Sequence, residues 1–284
     1  KGDVVPKNLK EGIRILKNCA DLGNVSSCYK YGMMLSEGIL IKKDIKEAIK
    51  YFLVAVEKND RDSLISLGYI YYIGDGVPVN KEKALHYIKQ SAELGQTFAC
   101  FLYGHILITG DGVQCNPNEA AQYMRISADG NCEFGLYEYS YLLYDGVGVE
   151  KDQKESDKYF ETAIKQYGIQ KLREFAEMLE SGKVFPKYLP ASAFFYKKLA
   201  DKGDYYSAKM YGVMRMGNEF SKDLKEAAKY LKIAADHDLS DAMLLYATIM
   251  YKNKNMSEAI KYYTKSAQHG NKHAALILSG LLHQ

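Results

Sequence analysis

Small and aromatic residues recur along the chain in a fixed register. A small residue is followed three positions later by an aromatic one, and through the middle of the chain this pair returns every 36 residues. Residues three apart lie on one face of an α-helix, so the pattern predicts a helix that packs closely through its small residue. The pairs are Ala48 and Tyr51, Ala84 and Tyr87, Ala120 and Tyr123, and Ser156 and Tyr159. The register extends backward to Gly12 and Ile15 and forward to Ser192 and Phe195. Two slightly shorter steps then lead to Ala227 and Tyr230, and to Ala259 and Tyr262.

A second column of residues predicts another helix in each interval. It joins a large residue to a small one, as in Leu67-Gly68 and Tyr103-Gly104. Glycine-rich loops such as Gly74-Asp75-Gly76 follow, because glycine permits the positive φ found after a helix C-terminus. A residue whose side-chain oxygen can cap the next helix then recurs at Asp44, Asn80, Asn116 and Asp152.

Each interval therefore predicts a pair of helices, and the chain as a whole predicts an all-α fold, an α-solenoid of about eight stacked pairs. The units of this single predicted domain, 1–284, lie near 1–24 (partial), 25–60, 61–96, 97–131, 132–168, 169–204, 205–239, 240–271 and 272–284 (partial). The last segment matches a first helix without a second. We expect either that the natural chain continues or that this end pairs with another molecule.

The most complete unit, residues 61–96, reads RDSLISLGYIYYIGDGVPVNKEKALHYIKQSAELGQ. It resembles the Sel1-like repeat family, which is related to the tetratricopeptide repeats. The resemblance rests on Leu67-Gly68, Tyr71, Gly74, Gly76-Val77, Lys83-Ala84, Tyr87, Ala92 and Gly95, and it recurs across nearly the whole chain. It implies antiparallel helix pairs stacked into a right-handed superhelix. It also implies that a non-catalytic member is an adaptor that holds partner proteins together.

Composition and charge narrow the classes of partner and compartment. The 38 basic and 35 acidic residues form no basic stripe, so a nucleic-acid partner is not expected. The longest apolar stretches fall short of the roughly 18 to 20 residues of a membrane-spanning helix, so direct membrane insertion is not expected either. The five cysteines are odd in number and irregularly spaced, which favours a reducing compartment and a cytoplasmic location. The lumen of the secretory pathway is the alternative if a signal precedes Lys1.

The sequence predicts no metal site, no cofactor and no enzymatic activity. Cys100, His105, Cys115 and Cys132 have the wrong spacing for a zinc finger, and positions 100 and 105 point about 140° apart on a helix. No Ser/His/Asp order and no recurrent carboxylate pair indicates an active site. Some cysteine-rich secreted family members have been linked to β-lactam binding and hydrolysis. They resemble this chain poorly, because their cysteines are paired within every repeat.

The first helices of such superhelices line the concave side, and their exposed positions can be read from the register. Residues at i, i+4 and i+7 of four successive first helices form a strongly aromatic stripe. The candidates for a protein-binding groove are Tyr29, Met33, Ile65, Tyr69, Tyr72, Phe101, His105, Ile108, Tyr137, Tyr141 and Tyr144. The alternative is that Tyr29, Ile65, Phe101 and Tyr137 pack against the neighbouring unit, whereas the repeat does not require aromatics at Tyr69, Tyr72, Tyr141 and Tyr144.

The stripe changes character midway along the chain. The equivalent positions are Arg173, Glu177 and Glu180 in one unit and Lys209, Val213 and Met216 in the next. Together with Glu174, the two glutamates suit either a basic peptide or a solvated helix face, and the solvated face is favoured.

The sequence therefore supports two functional hypotheses. The favoured one is a non-enzymatic scaffold or adaptor that holds partner proteins or peptide segments along an aromatic concave groove. The alternative is a structural component that self-associates end to end through its terminal helices. A β-lactam-hydrolysing enzyme is a third possibility, which an activity assay would exclude.

Overall fold

The computed structural model describes residues 8–220 and 222–282, and over these ranges it contains α-helices and no β-strand. The helices are α1 (Leu9–Asp21), α2 (Val25–Glu37), α3 (Ile45–Val56), α4 (Arg61–Ile73), α5 (Lys81–Glu93), α6 (Thr97–Thr109), α7 (Pro117–Asp129), α8 (Glu133–Asp145), α9 (Gln153–Ser181), α10 (Leu189–Asp201), α11 (Tyr205–Met216), α12 (Leu224–Ala235), α13 (Ser240–Lys252), α14 (Met256–Gln268) and α15 (Lys272–Leu282). The predicted all-α fold class is confirmed.

The helices fall into two compact units, which divide between Gln166 and Tyr167. In the first unit α2 packs with α3, α4 with α5 and α6 with α7, and the first helices α6 and α8 also touch. In the second unit α11 packs with α12, α13 with α14, and α15 against α14. Helix α9 is interrupted at Gly168, whose φ of 84° and ψ of 164° are not helical. Each unit is thus a stack of helix pairs.

The predicted helix caps are confirmed. The side-chain oxygens of Asp44, Asn80, Asn116 and Asp152 each accept a backbone N–H three residues on, at 2.9 to 3.3 Å. These bonds satisfy donors that the first turn of a helix leaves free. The glycine at the end of α4 is also confirmed, since Gly74 has a φ of 75° and a β-carbon there would lie 2.7 Å from Val79. The capping register therefore sets where each pair begins and ends.

Small residues bring the two helices of a pair together, as predicted. Ala84 and Ala227 are fully buried. Gly68 in α4 faces Ile88 in α5 so closely that a β-carbon would come within 2.6 Å of the Ile88 side chain. Gly212 in α11 has the same relation to Leu231 in α12, also at 2.6 Å. The same close approach thus recurs in both units.

The repeated tyrosine of the second helix ties neighbouring pairs together. Its ring packs edge-on against the tyrosine of its own first helix, as Tyr51 does on Tyr31 with centroids 5.0 Å apart. Its hydroxyl donates to an aspartate about thirty residues earlier. These tyrosine–aspartate contacts join Tyr51 to Asp21 at 2.6 Å, Tyr159 to Asp129 at 2.6 Å and Tyr230 to Asp201 at 2.8 Å. The sequence pattern singled out the tyrosines and missed the aspartates.

The end of the second unit leaves apolar side chains in solvent. Leu276 of α15 is 75% exposed and Ile277 is 38% exposed. Self-association through the terminal helices stays a prediction. None of the helices in the part of the chain that the structure describes has both the length and the apolar character needed to cross a membrane.

Candidate functional site

The first unit contains an apolar groove bounded by its first helices. We name it the α2–α4 groove; its volume is about 270 Å³, and its apolar lining consists of Met33, Ile65, Tyr69, Ile70, Ile73 and Phe98. The carboxylates of Glu37 and Asp75 also lie at the groove. Asp75 pairs with Lys43 at 2.9 Å, so Glu37 carries most of the local negative charge. The groove therefore offers an apolar wall with one acidic edge.

Three predicted residues are brought together in this groove: Met33, Ile65 and Tyr69. The hydroxyl of Ser66 donates to Met33 Sδ at 3.6 Å, which ties α4 to α2. The Tyr69 ring is half-buried and stands edge-on to Phe98 with centroids 6.2 Å apart. Phe98 was missed from the sequence, although it lies three residues before Phe101 on the same face of α6. The groove is thus held open by packed aromatic and sulfur-containing side chains.

Two further candidates, Tyr29 and Tyr72, are half-buried and make contacts within the fold. Tyr29 packs on Phe52 with ring centroids 6.4 Å apart. The Tyr72 hydroxyl donates to Asp111 at 2.9 Å, and Lys81 also pairs with Asp111 at 2.5 Å. Burial alone would raise the pKa of Asp111, but the hydrogen bonds from Lys81 and Tyr72 lower it. Tyr72 therefore joins α4 to the loop after α6.

Most of the other candidates lack an accessible surface. The side chains of Phe101, His105 and Tyr137 are fully buried, Tyr141 is 3% exposed and Ile108 is 8% exposed. The proposed wall of accessible side chains does not extend over these positions, because α6 and α8 pack against each other there. This arrangement agrees with the alternative in which Phe101 and Tyr137 fill the contact between neighbouring repeats. Tyr144 is exposed at the end of α8.

His105 forms a buried pair with Glu138 of α8. Its Nδ1 lies 2.8 Å from each carboxylate oxygen, and both side chains are 0% exposed. Glu138 was not predicted as a site residue, because its neighbours in the sequence, Tyr137 and Tyr139, and most of the residues around it in α8 are apolar or aromatic. Cys100, considered beside His105 as a metal ligand, points its Sγ to the Ala92 carbonyl at 3.4 Å. Among the residues that the structure describes, no group of three or more His, Cys, Asp or Glu could hold a metal ion.

Six segments of the chain match the family model of the Sel1 repeat: residues 25–60, 61–96, 97–132, 134–167, 207–239 and 240–271. The chain belongs to the Sel1 repeat family. Members of this kind of repeat array generally serve as protein-interaction scaffolds. The unmatched stretch between the fourth and fifth segments contains Gly168 and the loop after Ser181, where the glycine motif is replaced.

The chain shares its fold with a solved structure that has an SLR fold. The chain is 24% identical to c5321, a protective antigen of uropathogenic Escherichia coli with an SLR fold, at a TM-score of 0.62. The alignment covers 99% of this chain and 61% of c5321, so the chain spans about three fifths of that relative. A Sel1 repeat protein from Oxalobacter formigenes is 23% identical over 96% of this chain and 80% of its own, with a TM-score of 0.48. The comparison with curated protein sequences gave no match.

The second unit carries a cleft at equivalent positions. It lies between the part of α9 that follows Gly168 and α11, and its volume is about 640 Å³. Glu177 and Glu180 stand where Met33 and Ser36 stand in the first unit, and Val213 stands where Tyr69 does. We name it the α9–α11 cleft. The change of residues is visible in the sequence, where a solvated face was favoured, because a helix register does not reveal that a cleft forms.

Proposed function

We propose that this Sel1 repeat protein is a non-enzymatic scaffold whose α2–α4 groove binds an apolar segment of a partner protein. The observation that carries the proposal is the grouping of Met33, Ile65, Tyr69 and Phe98 around one open groove. Tyrosine and methionine are well suited to such a surface. Tyrosine gives contact area with little loss of rotamer freedom, and methionine adapts to irregular partners.

The same groove limits what the partner can be. Its lining is mostly apolar and it holds about 270 Å³, which is enough for one or two side chains and too little for a folded domain. Ile73 extends the apolar surface because it is 42% exposed at the end of α4. We therefore expect a short segment that inserts one or two apolar side chains. The five free thiols of the chain favour a reducing compartment, and we place this activity in the cytoplasm.

The proposal is tested with the full chain and a displayed library of twelve-residue peptides. We expect the enriched peptides to carry clustered apolar residues, and the best of them to lose about tenfold or more in affinity with Met33→Ala plus Tyr69→Ala. Tyr251→Ala is the matched control, since Tyr251 is an exposed tyrosine of a first helix in the second unit. Thermal unfolding of each variant verifies the fold. The proposal fails if no peptide is enriched or if Tyr251→Ala weakens binding as much as the groove variant.

A further inference from the structure

The α9–α11 cleft combines apolar walls with an excess of negative charge. Leu189, Val213, Met214 and Phe220 provide apolar surface, and Glu177 and Glu180 lie one helical turn apart on α9 beside it. The volume of about 640 Å³ lies within the range of sites that hold a ligand or several side chains of a peptide. The cleft is therefore large enough for an extended segment of a partner.

The basic side chains around the cleft already have acidic partners. Lys187 pairs with Glu219 at 2.5 Å. Arg215 reaches Glu226 at 2.9 Å and Asp223 at 3.4 Å. Lys187 also acts on Glu180, but the cleft lining holds three carboxylates, those of Glu177, Glu180 and Glu219, against this one cation.

Arg173 lies on the same helix face as the two glutamates and is also engaged elsewhere. Its guanidinium is 3.8 Å from the Asp204 carboxylate and lies over the Tyr206 ring at 5.3 Å. Within the described ranges, neither Glu177 nor Glu180 forms an ion pair with lysine or arginine. Among the described residues, the two carboxylates therefore have no ion pair of their own, and Lys187 offsets their charge only in part.

Glu180 is held in a position that costs free energy when it is ionised. The hydroxyl of Tyr196, itself fully buried, donates to Glu180 Oε2 at 3.1 Å. Burial raises the pKa of Glu180 above its ordinary value, and the negative charge of Glu177 acts in the same direction. A cation bound between the two carboxylates would favour the ionised form and so offset this cost.

We propose that the α9–α11 cleft binds a basic segment of a partner protein, with a lysine or arginine side chain at Glu177 and Glu180 and an adjacent apolar side chain against Val213 and Met214. Charge complementarity selects this occupant. A purely apolar segment would leave the carboxylates unpaired, and an acidic segment would be repelled. The site lies in a different unit from the α2–α4 groove, and it binds a basic segment whereas the groove binds an apolar one. The two proposals can therefore be tested independently of each other.

The test uses the full chain and three displayed libraries of nine-residue peptides, with the central residue fixed as arginine, glutamine or glutamate. We expect enrichment from the arginine library alone. The best peptide is then synthesised in two forms, with arginine and with citrulline, which has nearly the same shape and no charge. Titration calorimetry should show at least a tenfold weaker affinity for the citrulline form.

The protein side of the test removes one charge at a time. Glu177→Gln and Glu180→Gln should each weaken the arginine peptide about fivefold to tenfold and leave the citrulline peptide unchanged. Glu174→Gln is the matched control, because Glu174 lies on the same helix, outside the cleft lining, and bonds to Gln170 at 3.0 Å. That variant should bind both peptides as the unaltered chain does. Met33→Ala with Tyr69→Ala should leave this binding intact, which separates the cleft from the groove of the first unit.

Three outcomes would overturn the proposal. The first is equal affinity for the arginine and citrulline peptides, a comparison that needs no protein variant and so does not depend on variant folding. The second is an unchanged affinity after both glutamates are replaced. The third is displacement of the peptide by spermidine at concentrations close to the peptide's own dissociation constant, which would indicate a polyamine site instead of a protein-binding site.

Discussion

The α2–α4 groove and the α9–α11 cleft occupy equivalent repeat positions and differ in chemistry. In the first unit the positions hold Met33 and Tyr69, whereas in the second they hold Glu177 and Val213. The packing behind them is the same, since Gly68 faces Ile88 and Gly212 faces Leu231 at equal distance. The repeat thus fixes the frame through its small and aromatic columns. The first-helix positions that the frame does not use can carry different surfaces.

A second difference concerns the burial and the partners of carboxylates on the first helices. Glu138 in α8 is fully buried against His105, whereas Glu177 in α9 is exposed and has no cationic partner among the described residues. The first is part of the packing between two repeats. The second belongs to a surface. The comparison can therefore be tested by making the same substitution at both sites.

The largest effect is expected for Glu138→Gln. The amide keeps the shape of the carboxylate but gives the buried His105 ring a poorer hydrogen-bond partner, and we expect a loss of about 2 to 3 kcal/mol in the free energy of unfolding. The same substitution at Glu177 should change it by no more than about 0.5 kcal/mol. Urea denaturation measures both. A double variant, His105→Met with Glu138→Met, should recover part of the loss, and a loss at Glu138 no larger than that at Glu177 would contradict the comparison.

A smaller effect is expected where the frame is the same in both units. Gly68→Ala and Gly212→Ala each place a β-carbon 2.6 Å from a packed side chain, and each should cost about 1 to 2 kcal/mol. Gly12→Ala is the control, because nothing lies within 4 Å of its β-carbon, and alanine favours the helix by up to about 1 kcal/mol. Urea denaturation again provides the measurement. Unequal costs for Gly68 and Gly212 would mean that the two units do not share one frame.

The smallest effect on stability is expected for Glu180→Gln. In this variant stability should rise slightly while affinity for the arginine peptide falls. The pKa of Glu180 is raised in the folded chain, so its contribution to stability is present below the unfolded pKa and lost as pH rises through the folded pKa. At pH 7 the variant should be equally stable or more stable by less than about 1 kcal/mol, with the difference vanishing near pH 4. Thermal unfolding at the two pH values checks this result.

Peptide affinity gives the matching functional readout for Glu180. The groups that face it are Glu177, Tyr196, Lys187 and Glu219. Binding of the arginine peptide should weaken as pH falls through the raised pKa of Glu180, and this part of the pH dependence should be absent in Glu180→Gln. Stability gained together with affinity lost is typical of a binding site. If Glu180→Gln were markedly less stable than the unaltered chain at pH 7, this interpretation of Glu180 would be wrong.

The frame could be predicted from the sequence because it depends on local and periodic features. The caps at Asp44 and Asn80 and the small residues such as Ala84 act through fixed spacings within one repeat. The surface could not be predicted to the same degree. Whether Tyr141 is buried or Tyr69 is accessible depends on how closely neighbouring first helices approach, and no spacing within one helix contains that distance. Phe98 and Glu138 were missed for the same reason, since their roles depend on contacts between repeats.

The buried contact between His105 and Glu138 also has a consequence for how such a chain can change over generations. Its two side chains belong to adjacent repeats, 97–132 and 134–167. Insertion of a duplicated repeat between these two, or deletion of either one, would separate them and leave a buried polar side chain without its partner. These two repeats can therefore be gained, lost or transplanted only as a couple.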